Sequence, residues 1–124
     1  MRVCITGSRD WGRPEMIYKA LDGISFLCEA MDVEMVIVHG GCPTGADKAA
    51  EDWAMDNFSA RVKLQRYLAQ WDRYGKRAGP LRNQEMAESQ PDLVLAFWDG
   101  KSAGTRHMIE TAVIHRIPTI VRIL

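Results

Sequence analysis

Cysteine is scarce in this chain of 124 residues: only Cys4, Cys28 and Cys42 occur, and no two form a Cys-x-x-Cys pair. So sparse and odd a set supports neither a disulfide framework nor a structural zinc site. Cys4 and Cys28 read as small core residues, and Cys42 falls in a glycine-rich loop. Net charge is absent as well, since 16 Lys and Arg balance 16 Asp and Glu. Nothing global therefore draws the protein to DNA, RNA or an anionic membrane, and a nucleic-acid role would need a local basic patch. No apolar run approaches the roughly 20 residues of a membrane helix. Met1 to Gly7 lacks the basic segment and apolar stretch of a secretory leader, so a cytoplasmic location is expected. His39, His107 and His115 are not spaced as metal ligands, and neither a metal nor a cofactor is expected. No nucleophile elbow or serine–histidine arrangement is visible.

What is present is a regular alternation. Hydrophobic residues make up 47% of the chain, which suits one globular domain over residues 1–124. Val3 to Thr6 is a short apolar run that ends at Gly7 and reads as a buried strand. Pro14 stands where a first helical residue belongs, and Ile17, Leu21, Ile24 and Cys28 follow at helical spacing. Gly23 weakens that helix without ending it. Met35 to Val38 is a second buried strand, and Ala46, Ala49, Ala50, Trp53 and Ala54 mark a second helix with a small-residue face. Val62 to Leu68 alternates apolar with polar, as a strand exposed on one face or at an edge does. A polar loop is expected from Gln70 to Gly79, then a short helix from Pro80 to Glu88. Leu93 to Phe97, a helix carrying Met108, Ile109, Ala112 and Val113, and a strand from Pro118 to Ile123 complete the order. Such a βα alternation predicts an α/β, Rossmann-like three-layer domain with a five-stranded, mostly parallel sheet. A doubly wound order such as 3-2-1-4-5 is the natural expectation.

Ligands of such sheets bind outside the carboxyl ends of the strands, where helix N-termini offer unpaired N–H groups to phosphate. Four loops leave those ends. In the first, Gly7 permits a sharp turn or a close ligand, and Ser8 and Arg9 could hold phosphate; a plain turn with a surface arginine explains them equally well. The second, Gly40 to Asp47, has the outer glycines of a P-loop, but Ala46-Asp47 replaces the Lys-Ser/Thr pair that grips phosphate and magnesium. Thr44 and Asp47 fit a capping box, a reading as strong for Asp47 as a ribose-hydroxyl role. Gly40 and Gly41 call for some close backbone approach. The third loop interleaves Trp71, Tyr74, Lys76, Arg77, Gly79, Arg82 and Asn83, which could clamp phosphate and stack a base, or be solvated surface. Arg82 and Asn83 fall on the first turn of the expected short helix. The fourth, Trp98 to Thr105, is a second glycine-rich turn into a helix.

Gly7-Ser8-Arg9, Gly40-Gly41 with Gly45-Ala46-Asp47, Ala78-Gly79 with Arg82-Asn83 and Met86, and Gly104-Thr105 stand in an order that resembles the YspA-like, cpYpsA-related branch of the SLOG superfamily over nearly the whole chain. That superfamily also includes the Lonely Guy phosphoribohydrolases and the DNA-processing DprA proteins. The resemblance implies a domain that binds or senses a nucleotide or nucleotide-derived phosphate ligand. Its expected ligand-binding residues are Gly7, Ser8, Arg9, Gly40, Gly41, Gly45, Lys76, Gly79, Arg82, Asn83, Gly104 and Thr105. The alternative is a phosphoribohydrolase-like nucleotide N-glycosidase, with Arg82 as the cation and Asp47 as the carboxylate. Asp99 and Glu110 are the other candidate carboxylates, because Met108 stands where Lonely Guy enzymes place a glutamate, three residues past the Gly-Thr pair. DprA-like nucleic-acid binding is a third and weaker reading, disfavoured by the zero net charge. No membrane partner is expected, and a homo-oligomer is compatible with all three readings.

Overall fold

The computed structural model describes residues 1–123. Its five strands are β1 (Arg2–Gly7), β2 (Met35–His39), β3 (Val62–Arg66), β4 (Leu93–Trp98) and β5 (Thr119–Ile123). They form one sheet in the order β3-β2-β1-β4-β5, and every pairing is parallel. Order reverses between β1 and β4, as a doubly wound chain requires. Side chains of successive residues point to opposite faces of a strand, and the two halves of the core follow that rule. Val3, Ile5, Ile37, Leu95 and Phe97 face α1 (Pro14–Met31) and α2 (Gly45–Asp56). Cys4, Val38 and Val94 face the other way, towards α4 (Ala78–Glu88) and α5 (Ala103–Ile114), against Met86, Ala87, Met108 and Ala112.

Local chemistry accounts for the helices. Pro14 opens α1, where a missing N–H costs nothing, and Asp32 closes it in a left-handed conformation at φ 56°. The small face of α2, Ala46, Ala49, Ala50 and Ala54, lies fully against the sheet. Trp53 on the same helix donates its indole N–H to Asp22 at 2.8 Å and so ties α2 to α1. β3 is an edge strand with one buried residue, Val62, in keeping with its alternating sequence.

The polar stretch from Gln70 to Gly79 is not a loop. It folds as a one-turn helix, α3 (Trp71–Tyr74), and a 3₁₀ turn (Gly75–Arg77), and α4 begins at Ala78 rather than at Pro80. Pro80 is the third residue of α4, still within the first turn, where its lack of an N–H leaves no helical bond unmade. Arg82 and Asn83 consequently sit on the second turn of α4. Among the described residues no helix is long and apolar enough to cross a membrane.

Candidate functional site

The carboxyl end of β1, the loops that follow β1, β2, β3 and β4, and the helices α2, α4 and α5 enclose one cleft of about 1060 Å³. It lies at the reversal of strand order, where open α/β sheets characteristically hold ligands. Its size is at the top of the usual small-molecule range of about 300–1,000 Å³.

The loop between β2 and α2 is shaped by the protein's own side chains. His39 is buried and accepts the Gly41 N–H on Nδ1 at 2.9 Å, while its Nε2 meets Glu51 at 3.0 Å. Glu51 in turn receives Arg66 through two bonds of 2.6 and 3.0 Å. Asp47 accepts the Cys42 N–H at 3.1 Å. The N–H groups of Gly41 and Cys42 are therefore engaged by the protein's own side chains rather than held open for an anion. Thr44 occupies the N-cap position of α2, but its side chain makes no cap bond, so the expected capping box does not form. Asp47 reaches back beyond the N-cap instead. The close approach that the glycines call for is also internal. A Cβ on Gly40 would strike the Arg82 guanidinium, and one on Gly41 would strike Leu68.

Asp47 is almost fully buried, and loss of solvent pushes its carboxyl above the ordinary carboxylate range. The N–H groups of Cys42 and Gly40 and the charge of Arg82 pull it back only in part. Arg82 donates from Nη1 to the Gly40 carbonyl at 2.7 Å and from Nε to Asn83 Oδ1 at 3.0 Å. Both acceptors are neutral. Among the described residues no carboxylate lies within ion-pair distance of Arg82. Partial burial draws its pKa down, an effect that the more distant negative charge of Asp47 opposes.

Of the residues singled out in the sequence, Gly7, Arg9, Gly40, Gly41, Asp47, Lys76, Gly79, Arg82, Asn83, Gly104 and Thr105 all line the cleft. Ser8 and Gly45 do not. Ser8 is fully buried: its N–H binds Phe97 O at 3.0 Å, its hydroxyl accepts the Asp99 N–H at 3.1 Å, and its carbonyl receives Trp11 and Ala46. It locks the first loop to β4 and α2. Gly45 is its counterpart, with φ 69° and no room for a Cβ beside the backbone of Ser8 and Arg9. Asp99 folds over its own turn, accepting Ser102 and Lys101 N–H groups at 2.7 and 2.8 Å, and those bonds hold its carboxyl below the ordinary range. Glu110 is exposed and paired with Arg106 at 3.0 Å, outside the cleft. Among the described residues no three His, Cys, Asp or Glu side chains gather closely enough to hold a metal.

Trp71, which the sequence offered as a base-stacking residue, also lines the cleft, as does His107, which the sequence did not assign. Trp71 is half exposed at the rim, its ring edge seated on Gly79. His107 lines the floor beside Gly104. The helical spacing of Ala103, Gly104 and His107 could have revealed it, since residues three and four apart share a face.

The profile of the YspA, cpYpsA-related SLOG family matches residues 1–74, which carry the first two loops of the cleft. The "Gene 61 protein" of Mycobacterium phage D29 is 39% identical over 123 residues, covering 96% of this chain and 94% of the phage protein. No solved structure matches. With more than half of its length in the profile and a relative similar from end to end, the chain belongs to the YspA, cpYpsA-related SLOG family.

Proposed function

We propose that this protein binds or senses a nucleotide or nucleotide-derived phosphate ligand in the cleft. Membership of the SLOG family favours a nucleotide-related ligand, and Arg82 is the observation that carries the reading. A partly buried guanidinium that, among the described residues, is held by neutral oxygens alone keeps its whole charge for an anion. The N-terminal turn of α5 faces the same cleft and adds a partial positive charge, and Lys76 and Arg9 lie on the rim. Trp71 offers a base a stacking surface. One domain and a cytoplasmic location belong to the same proposal.

The test is calorimetric titration with nucleoside mono- and diphosphates. Arg82→Ala should weaken the best of them by about 1.5–3 kcal/mol, roughly 10- to 150-fold, as loss of a charge-assisted bond does. Arg106→Ala, on the exposed Arg106–Glu110 pair, is the control and should bind as the parent does. Equal affinity for parent and Arg82→Ala would remove the assignment.

Asp47 favours a second reading, hydrolysis of the nucleotide's N-glycosidic bond, because a buried carboxyl with a raised pKa lines the cleft. Incubation with nucleoside monophosphates, with assay of free base and ribose 5-phosphate, decides it; Asp47→Asn should then retain binding and lose about 10²–10⁴-fold in rate. Its stability effect has a defined sign. A raised folded pKa favours the fold below the ordinary carboxylate value, and that advantage is lost as pH rises through the folded value. Asn at this position does not titrate. Urea unfolding at several pH values should therefore show Asp47→Asn gaining on the parent as pH climbs above the ordinary carboxylate range. A constant difference across that window would contradict the shift.

A further inference from the structure

We propose that His107 contacts the ligand as a neutral imidazole, fixed by Asn83 in the tautomer that carries its proton on Nε2 and donating that proton in a hydrogen bond to a phosphate oxygen. The proposal rests on the reading of the cleft as a site for a phosphorylated ligand.

The argument begins at Asn83, a buried amide with three partners. Arg82 Nε can only donate, so the atom it meets at 3.0 Å must be the amide oxygen. The Gly104 carbonyl can only accept, so the atom 3.2 Å from it must be the amide nitrogen. The two partners agree, and they leave no freedom to flip the amide. The same nitrogen lies 3.1 Å from His107 Nδ1. It has a second hydrogen to give and none to receive, so Nδ1 is the acceptor and bears no proton. A neutral ring then carries its proton on Nε2. Nε2 has no protein partner among the described residues, and the ring lines the cleft beside Gly104. Asn83 is thus a positioning residue for two groups, holding the Arg82 guanidinium through its oxygen and the His107 ring through its nitrogen.

The rotation of α5 explains why this position and not the next one reaches the ligand. Met108 is fully buried among Cys4, Val38, Met86 and Val94, so the helix turns residue 108 into the core. Ala103, Gly104 and His107 share the face that looks into the cleft. The first long side chain on that face is His107.

Two-bond ¹H–¹⁵N spectra of the labelled protein test this, first free and then with AMP, GMP, CMP and UMP in turn, with adenosine as the phosphate-free control. In the free protein His107 should show a protonated Nε2 and an unprotonated Nδ1. At least one monophosphate should shift His107 Nε2 together with Arg82 Nε, and adenosine should not shift His107. Asn83→Asp replaces the donating nitrogen by an accepting oxygen. It should move the His107 proton to Nδ1 and weaken the monophosphate about tenfold, and His107→Ala, at a partly exposed position, should weaken it by a similar factor without loss of fold. An Nδ1-protonated ring in the parent overturns the proposal, as does an unchanged tautomer in a folded Asn83→Asp. A monophosphate that shifts Arg82 but not His107 overturns it while leaving the cleft's function intact. If no monophosphate shifts either residue, the reading of the cleft falls and the proposal with it.

Discussion

Met108→Glu should unfold the protein rather than activate it. The substitution restores the glutamate that Lonely Guy enzymes carry three residues past their Gly-Thr pair, yet here that side chain enters a core of Cys4, Val38, Met86, Val94 and Ala112. None of these neighbours can solvate a carboxylate, so the new group should be protonated in the folded state. Keeping a glutamate protonated near pH 7, against an ordinary pKa of about 4.3, costs about 3.7 kcal/mol. That is a large share of the ~5–15 kcal/mol by which domains are stable. The sign with pH follows from linkage. A raised folded pKa means that the loss is smallest below about pH 4 and grows by about 1.4 kcal/mol per unit as pH rises, until the folded value is reached. Urea denaturation of parent and variant at acid and neutral pH would show this. A variant as stable as the parent at neutrality, and newly able to release base from a nucleoside monophosphate, would mean that residue 108 faces the cleft after all.

Gly45→Val is expected to remove about 3 kcal/mol or more. The backbone there has φ 69°, a conformation that costs an L-residue roughly 1–2 kcal/mol and a β-branched one more. A Cβ would also collide with the Ser8 carbonyl and the Arg9 backbone, neither of which can swing aside as a flexible side chain can. Overpacking of that kind adds about 1–3 kcal/mol. Gly23→Ala is the natural comparison. Gly23 lies inside α1 with open space where a Cβ would go, and alanine there should stabilise the fold by about 0.5–1 kcal/mol. Chemical denaturation of both variants reads the contrast directly. Similar midpoints for the two would show that Ser8 and Gly45 do not lock the first loop to α2.

Which features were legible in the sequence depended on how far their causes reach along the chain. Val3 to Thr6, Met35 to Val38 and Leu93 to Phe97 are continuous apolar runs because their strands are covered on both faces, and such runs need no partner to be recognised. Pro14 marked the start of α1 through its own fixed backbone. The stretch from Gln70 to Gly79 misled because its helical turns are short and exposed, so no apolar periodicity records them. The placement of Arg82 moved by half a turn for the same reason. Glycine spacing pointed to close approach around Gly40, Gly41 and Gly45 without saying what approaches. Arg82, Leu68 and Ser8–Arg9 do so, and all are distant in sequence from the glycines they touch.

The sequence by itself determined the five strands, the four longer helices, their parallel alternation and therefore the sheet edge at which chemistry can occur, because hydrophobic period and turn residues are local properties. Only the tertiary structure decided which residues meet at that edge. It withdrew Ser8 and Gly45 into the framework, engaged the N–H groups of the Gly41–Cys42 turn with His39 and Asp47, and buried Met108. It also left Arg82 with no carboxylate at ion-pair distance among the described residues and joined it through Asn83 to His107. Hydrogen-bond partners and the loss of solvent around a charge depend on chain segments separated by tens of residues, and a one-dimensional pattern carries no record of their distance in space.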